Sequence, residues 1–161
     1  MCGIAGHISF DSAPIPHHIV DMVRRIRHRG PDDSGHWVSP ARDCVLGHAR
    51  LSIIDLSPLG HQPMIDSVTG NALVFNGEIY NFQSLRRECE TAGDTFRSQS
   101  DTEVMLALYR RYGIACLAKL RGMFAFALWD ESKRSVFLAR DRVGKKPLNY
   151  GLTHNGLVFS S

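Results

Sequence analysis

The spacing of apolar residues changes period several times along the chain, and each change marks an element. Residues 2 to 10 alternate loosely, with Ile4, Ile8 and Phe10 set among small and polar neighbours, and read as a strand. Asp11 to Pro16, carrying Pro14 and Pro16, reads as a loop. Ile19, Met22, Val23 and Ile26 recur at helical spacing. That helix must stop near Gly30-Pro31, because proline cannot continue a helix and restricts the residue before it. Strand patterns follow at His36 to Ser39 and Val45 to Ile54, then a long loop from Asp55 to Asn71 with Pro58, Gly60, Pro63 and Gly70. A loop of that length without structure of its own is often functional.

Ala72 to Phe75 forms a short apolar run ending in Asn76-Gly77-Glu78. Asn81 is placed to cap a helix reaching about Ala92, with Phe82, Leu85 and Cys89 on one face. Ser100-Asp101-Thr102-Glu103 has the form of a capping box and opens a helix through Val104, Leu106, Leu108 and Tyr112 that ends at Gly113. A shorter helix, Ile114 to Leu120, precedes the strands Met123 to Trp129 and Ser135 to Arg140. After a loop from Asp141 to Pro147, Leu148 to Leu152 and Leu157 to Ser160 pair through Asn155-Gly156, a hairpin signal. Hairpins and helices without strict βαβ alternation predict an α+β domain of antiparallel sheet packed with helices, spanning 1-161.

Composition narrows the class. The 161 residues are 43% hydrophobic and 22% charged, with a net charge of +3, as in an ordinary globular domain. No apolar run approaches the ~18 residues of a membrane span, and the N-terminus lacks signal-peptide features, so the expected setting is cytoplasmic with no membrane partner. Arg24, Arg25, Arg27 and Arg29 cluster, but the helical spacing of their apolar neighbours makes them a solvated face, and no nucleic acid is expected. Cys2, Cys44, Cys89 and Cys116 form no CxxC pair, and no histidines stand at the spacing of HExxH, so neither disulfide nor metal is expected.

The candidate chemistry begins at Met1-Cys2-Gly3-Ile4. Once Met1 is removed, Cys2 carries a thiol and a free α-amine on one residue, a nucleophile with its own base. Set against this, a cysteine in an apolar strand also serves as a small core residue. Arg27-His28-Arg29-Gly30-Pro31-Asp32 is a polar turn that either shapes a pocket or simply ends a helix.

Those two stretches join Arg50-Leu51-Ser52-Ile53-Ile54-Asp55, Phe75-Asn76-Gly77-Glu78-Ile79-Tyr80-Asn81, Ser100-Asp101-Thr102-Glu103, Gly122-Met123-Phe124-Ala125-Phe126 and Arg140-Asp141-Arg142-Val143-Gly144. Together, and in order, they resemble the glutaminase domain of glutamine-hydrolysing asparagine synthetases, which are class II, N-terminal-nucleophile amidotransferases. The resemblance implies a four-layer αββα sandwich of two antiparallel sheets. It implies that Cys2 attacks the carboxamide of L-glutamine, with the Asn76 amide and the Gly77 N–H as oxyanion hole. For Asn76-Gly77 the residues alone equally allow a two-residue hairpin turn.

Recognition of an amino acid asks for opposite charges at its two ends. Arg50 suits the α-carboxylate and Asp101 the α-ammonium, although a helix N-terminus alone would also favour an acid. The resemblance further places Leu51, Ser52, Ile53, Ile54 and Glu78 against bound glutamine. It implies no cofactor for this domain; ATP and Mg belong to a C-terminal or separate synthetase domain whose S-G-G-x-D-S loop is not found here. That partner would receive the ammonia and amidate aspartate, or in a second reading another carboxylate such as a sugar uronic acid. A non-catalytic scaffold of the same fold, and assembly as a homodimer, stand as further readings. Lys145 and Asn149 depart from the G-I-K-P-L-Y-Y pattern of the relatives.

Overall fold

The computed structural model describes residues 1–11 and 18–161, folded as two antiparallel sheets face to face. In chain order the strands are β1 (Gly3–Ser9), β2 (Asp33–Val38), β3 (Cys44–Arg50), β4 (Met64–Ile65) and β5 (Ala72–Ile79). They continue as β6 (Gly122–Asp130), β7 (Ser135–Arg140), β8 (Asn149–Thr153) and β9 (Gly156–Ser160). The five-stranded sheet runs β2-β3-β1-β9-β8 and the four-stranded sheet β4-β5-β6-β7.

The layering follows from side-chain alternation, since successive residues of a strand point to opposite faces. Ile4, Ile8, Cys44 and Leu46 of the first sheet meet Ala72, Val74, Ala125, Ala127 and Trp129 of the second, forming the inner core. The other face of the first sheet, Ala5 and Val45, is covered by α1 (Ile19–Arg25) through Ile19. The other face of the second sheet, with Leu73, Phe75 and Phe126, lies under α2 (Phe82–Thr91) and α3 (Asp101–Tyr112). The result is the expected αββα sandwich.

The parity that builds the core also places the chemistry. Cys2 shares the inward parity of Ile4, Arg50 that of Leu46, and Asn76 and Glu78 that of Val74. Where the strands run past the apolar layer, the same inner faces present polar side chains.

Several boundaries differ from the sequence expectation. β3 ends at Arg50, and 51–54 leave the sheet because the Ser52 N–H bonds the Asp32 carboxylate at 2.8 Å. The Asp55 to Asn71 stretch is not structureless: it contains a 3-10 turn at Pro58–Gly60 and β4. Asn81 does not cap α2 with its side chain; its amide donates to the Lys119 carbonyl and accepts from the Arg121 N–H, both at 3.0 Å. Ser100 does cap α3, accepting from the Thr102 N–H at 3.0 Å. Glu103 does not close the box, because it accepts instead from the Arg97 and Ser98 N–H groups. The second hairpin turns at His154-Asn155, with Gly156 already paired to Thr153 and Ser9. The loop expected over Asp11 to Pro16 lies largely outside the described residues.

Gly156 is required by close packing: a Cβ there would lie 2.1 Å from the Ile8 carbonyl oxygen of the neighbouring strand. Gly156→Ala is therefore expected to lower unfolding stability by about 1–3 kcal/mol through overpacking, read as a lower urea midpoint with an unchanged slope.

Candidate active site

A cavity of about 180 Å³ opens between the ends of the two sheets, lined by Cys2, Arg50, Asn76, Gly77, Glu78, Asp101 and Lys146 among others. Cys2 is half-buried just ahead of β1, with its sulfur at the first residue beyond β3. The Leu51 N–H donates to Sγ at 3.4 Å, and the thiol faces the Leu51 carbonyl at 3.6 Å. Burial pushes the Cys2 thiol pKa up; the Leu51 N–H, the amino terminus and Arg50 pull it back, and Asp101 adds to the rise. The polar turn at 27–32 serves this point too. Arg29 Nε donates to the Cys2 carbonyl at 3.1 Å, and Asp32 holds Ser52. That turn therefore shapes the pocket as well as ending the helix.

Asn76 and Gly77 do not form a hairpin turn; they sit inside β5. β4 pairs only with Ala72 and Leu73, so beyond that point one edge of β5 is open. The Phe75 N–H is taken by Gln62 Oε1 at 2.7 Å and the Ile79 N–H by Asp101 Oδ2 at 3.0 Å. Gly77 lies between them with the same parity. Its partner on β6, Phe124, uses its own N–H and carbonyl on Asp141, so Gly77 and Phe124 exchange no bonds. The Gly77 N–H thus points out of the open edge, into the cavity. A Cβ at Gly77 would lie 2.2 Å from the Met123 carbonyl oxygen, so the glycine is set by the approach of β6.

Asn76 is fully buried, and both its Nδ2 and Oδ1 lack a hydrogen-bond partner among the described residues. An unpartnered buried amide costs on the order of 1–3 kcal/mol, so the fold maintains it against its own stability. Its neighbour is fixed from behind by His48. Burial lowers the pKa of that imidazole to about 4, so it is neutral at physiological pH. Since a carbonyl only accepts, Nε2 carries the proton and donates to the Phe75 carbonyl at 3.1 Å.

Arg50 is 7% exposed, and its guanidinium is anchored on the carbonyls of Ser57, at 3.0 Å, and Asp55. Of its five N–H groups, two are used, and the remainder stay available. Asp55 is itself held by the Ser57 and Gln99 N–H groups at 2.8 Å. Across the cavity, burial raises the Asp101 pKa to about 6, with the Ile79 and Thr102 N–H groups opposing the rise and Glu78 adding to it. Leu51, Ile53 and Ile54 line the wall as expected; Ser52 does not. Lys146, which carried no sequence signal of its own beyond one position in a family pattern, lines it as well.

A larger hollow of about 510 Å³ lies on the helix side, bordered by Met64, Leu106 and Arg110. It holds no cysteine, and its carboxylates are engaged, Asp66 and Asp94 with Arg110 and Glu103 with the Arg97 and Ser98 N–H groups. Among the described residues no three potential metal ligands come together, and no helix is long and apolar enough to cross a membrane.

Comparison with known proteins matches residues 1–161 to the glutamine amidotransferase domain. The chain belongs to that family. Asparagine synthetase B of Escherichia coli is 41% identical over 163 residues, covering 99% of this chain and 28% of that protein. Asparagine synthetase 1 of Bacillus subtilis is 41% identical over 165 residues, and amidase chry2 of Gibberella zeae 39% over 173; each match covers all of this chain and 26% of the relative. The amidotransferase domain therefore spans about a quarter of such relatives. Its fold matches the B. subtilis glutamine phosphoribosylpyrophosphate amidotransferase with a TM-score of 0.80 at 22% identity, covering 99% of this chain and 41% of that one.

The linkage at Asp101 has a definite sign. Its folded pKa lies above the ordinary 3.8, so its contribution to stability is fully present below that value and lost as pH rises through about 6. Asp101→Asn, which cannot ionise, is expected to be more stable than the parent at pH 8 by about 3 kcal/mol, seen as a higher unfolding temperature. The difference should vanish near pH 4 in calorimetric scans.

Proposed function

We propose that this domain hydrolyses L-glutamine to glutamate and ammonia through a γ-glutamyl thioester on Cys2, and that the ammonia serves an amide-forming synthetase. The observation that carries this reading is the pairing of Cys2 with two unused donors in one cavity, the Asn76 amide and the Gly77 N–H. A thiolate attacking a carboxamide drives negative charge onto the carbonyl oxygen, and preorganised donors in a closed site favour that transition state. Arg50, held by two main-chain carbonyls, receives the α-carboxylate; Asp101, with Glu78 nearby, receives the α-ammonium.

With Met1 removed, the Cys2 amine takes the thiol proton and returns it to the departing ammonia, acting as base and then acid. Water then cleaves the thioester. Each role belongs to a residue of this chain, and no cofactor is assigned to this half of the reaction. ATP and Mg belong with a synthetase partner.

The relatives' names bear on the acceptor. Several are called asparagine synthetases, which favours aspartate as the carboxylate that is amidated. The similarity to amidase chry2 supports the alternative of a different carboxylate, and identification of the amide formed by the complete protein decides between them. Ile53 lines the cavity and is 68% exposed, an apolar point on its rim suited to contact with such a partner. Cytoplasmic placement and a homodimer are part of the same proposal.

A glutamine-like diazoketone should label Cys2, seen by mass spectrometry of the intact chain, and should fail on Cys2→Ala or on a chain retaining Met1. Labelling elsewhere, or glutamine turnover surviving either change, would sink the proposal. Asn76→Ala should lower kcat by about 10²–10³ while leaving KM within a few-fold. KM for glutamine should rise as pH falls below about 6, because a protonated Asp101 no longer opposes the α-ammonium. A flat KM from pH 5 to 8 would remove Asp101 from that role.

A further inference from the structure

Lys146 is 5% exposed and lines the same cavity as Cys2 and Asn76. Its ammonium has no hydrogen-bond or ion-pair partner among the described residues; its one bond is from its backbone N–H, to Asp141 at 3.1 Å. Lysines this buried are ordinarily paired, since a desolvated charge without a counter-ion is costly. Its placement is also enforced. The chain crosses from β7 in one sheet to β8 in the other, and the crossing folds around the Asp141 carboxylate, which accepts from Phe124, Val143, Lys145 and Lys146. That pins Lys146 beside the start of β6, whose Met123 and Phe124 face Glu78 and Gly77.

The charges of free glutamine do not call for Lys146. Arg50 answers the α-carboxylate and Asp101 the α-ammonium, and the carboxamide is neutral. Hydrolysis changes this. Water adds to the thioester carbonyl, the C–S bond breaks, the sulfur leaves with one proton of the water, and the resulting γ-carboxylic acid passes its own proton to the Cys2 amine, left neutral when ammonia departed, to become a carboxylate. One of its oxygens sits with Asn76 and Gly77, and the other takes the place that ammonia vacated. A full negative charge then stands in a small cavity where the substrate had none.

We infer that Lys146 is the counter-charge for this γ-carboxylate and sets the affinity of the site for the product glutamate. The inference rests on the glutaminase reading, and binding without turnover keeps the two separable. In full-length Cys2→Ala protein, titration calorimetry at pH 7.5 gives the ratio of glutamate to glutamine dissociation constants, which is then compared with Lys146→Met and Lys146→Arg added. Lys146→Met is expected to raise that ratio about tenfold, and Lys146→Arg to hold it within about threefold. An unchanged ratio in Lys146→Met, equal weakening of both ligands, or a loss in Lys146→Arg as large as in Lys146→Met overturns the inference while leaving the glutaminase reading intact. Failure of the Cys2→Ala parent to bind glutamine at all brings down both.

Discussion

The open edge of β5 is the constraint on which the site depends. A strand edge leaves alternate N–H and carbonyl groups unpaired, and a buried edge must find partners for them. Here β4 stops after two residues, and the edge is completed piecemeal: Gln62 and His48 on Phe75, Asp101 on Ile79. Gly77 is the gap in that series. Its N–H faces the cavity because the groups on either side are occupied, so the one unused donor of this edge is defined by what surrounds it. Gln62 and Thr102 extend the support one step further, joined at 3.3 Å.

The site is held at a cost in stability. Asn76 is buried with no partner among the described residues, and burial works against the ionised form of Asp101. These features run against the usual rule that buried polar groups are satisfied. They are tolerated because the adjoining layers are conventional: Ile4, Leu46, Val74 and Trp129 pack between the sheets, and Leu73 and Phe126 pack with Leu108 of α3 under the helices. Sheet strands carry Arg50, Asn76 and Gly77, and Cys2 directly precedes β1, so these groups keep their spacing without a ligand.

Much of this was legible in the residues. Period-two alternation in β1, β3, β5 and β6 and helical spacing in α1 and α3 are strong local signals, and they gave the α+β class. The sandwich itself came from resemblance, because alternation says which residues share a face and not which faces meet. Asn76-Gly77 was ambiguous for the same reason: a turn and a strand interior differ in long-range pairing with Ala125 and Phe124, which no local pattern reveals. Val45 to Ile54 read as one strand because Leu51, Ile53 and Ile54 are apolar, yet the chain leaves the sheet at Arg50 to place the Leu51 N–H on the Cys2 sulfur. Lys146 was invisible because the second of two adjacent lysines in a loop reads as surface. Only the crossing between sheets, wound on Asp141, turns it inward.

The recognition and reaction ends of the cavity are coupled through the 50–57 segment. Leu51 touches the nucleophile with its N–H, while its neighbour Arg50 reaches back to the carbonyls of Asp55 and Ser57. Asp55 in turn receives the Gln99 N–H, adjoining the Ser100 cap that opens the helix bearing Asp101. Under the proposed mode of glutamine binding, an α-carboxylate seated on Arg50 would pull on the same short segment that contacts Cys2, and on the anchor of Asp101. The long loop is a strut joining Arg50 and the Asp101 helix to the Cys2 sulfur, and its 3-10 turn and short strand hold it in that place.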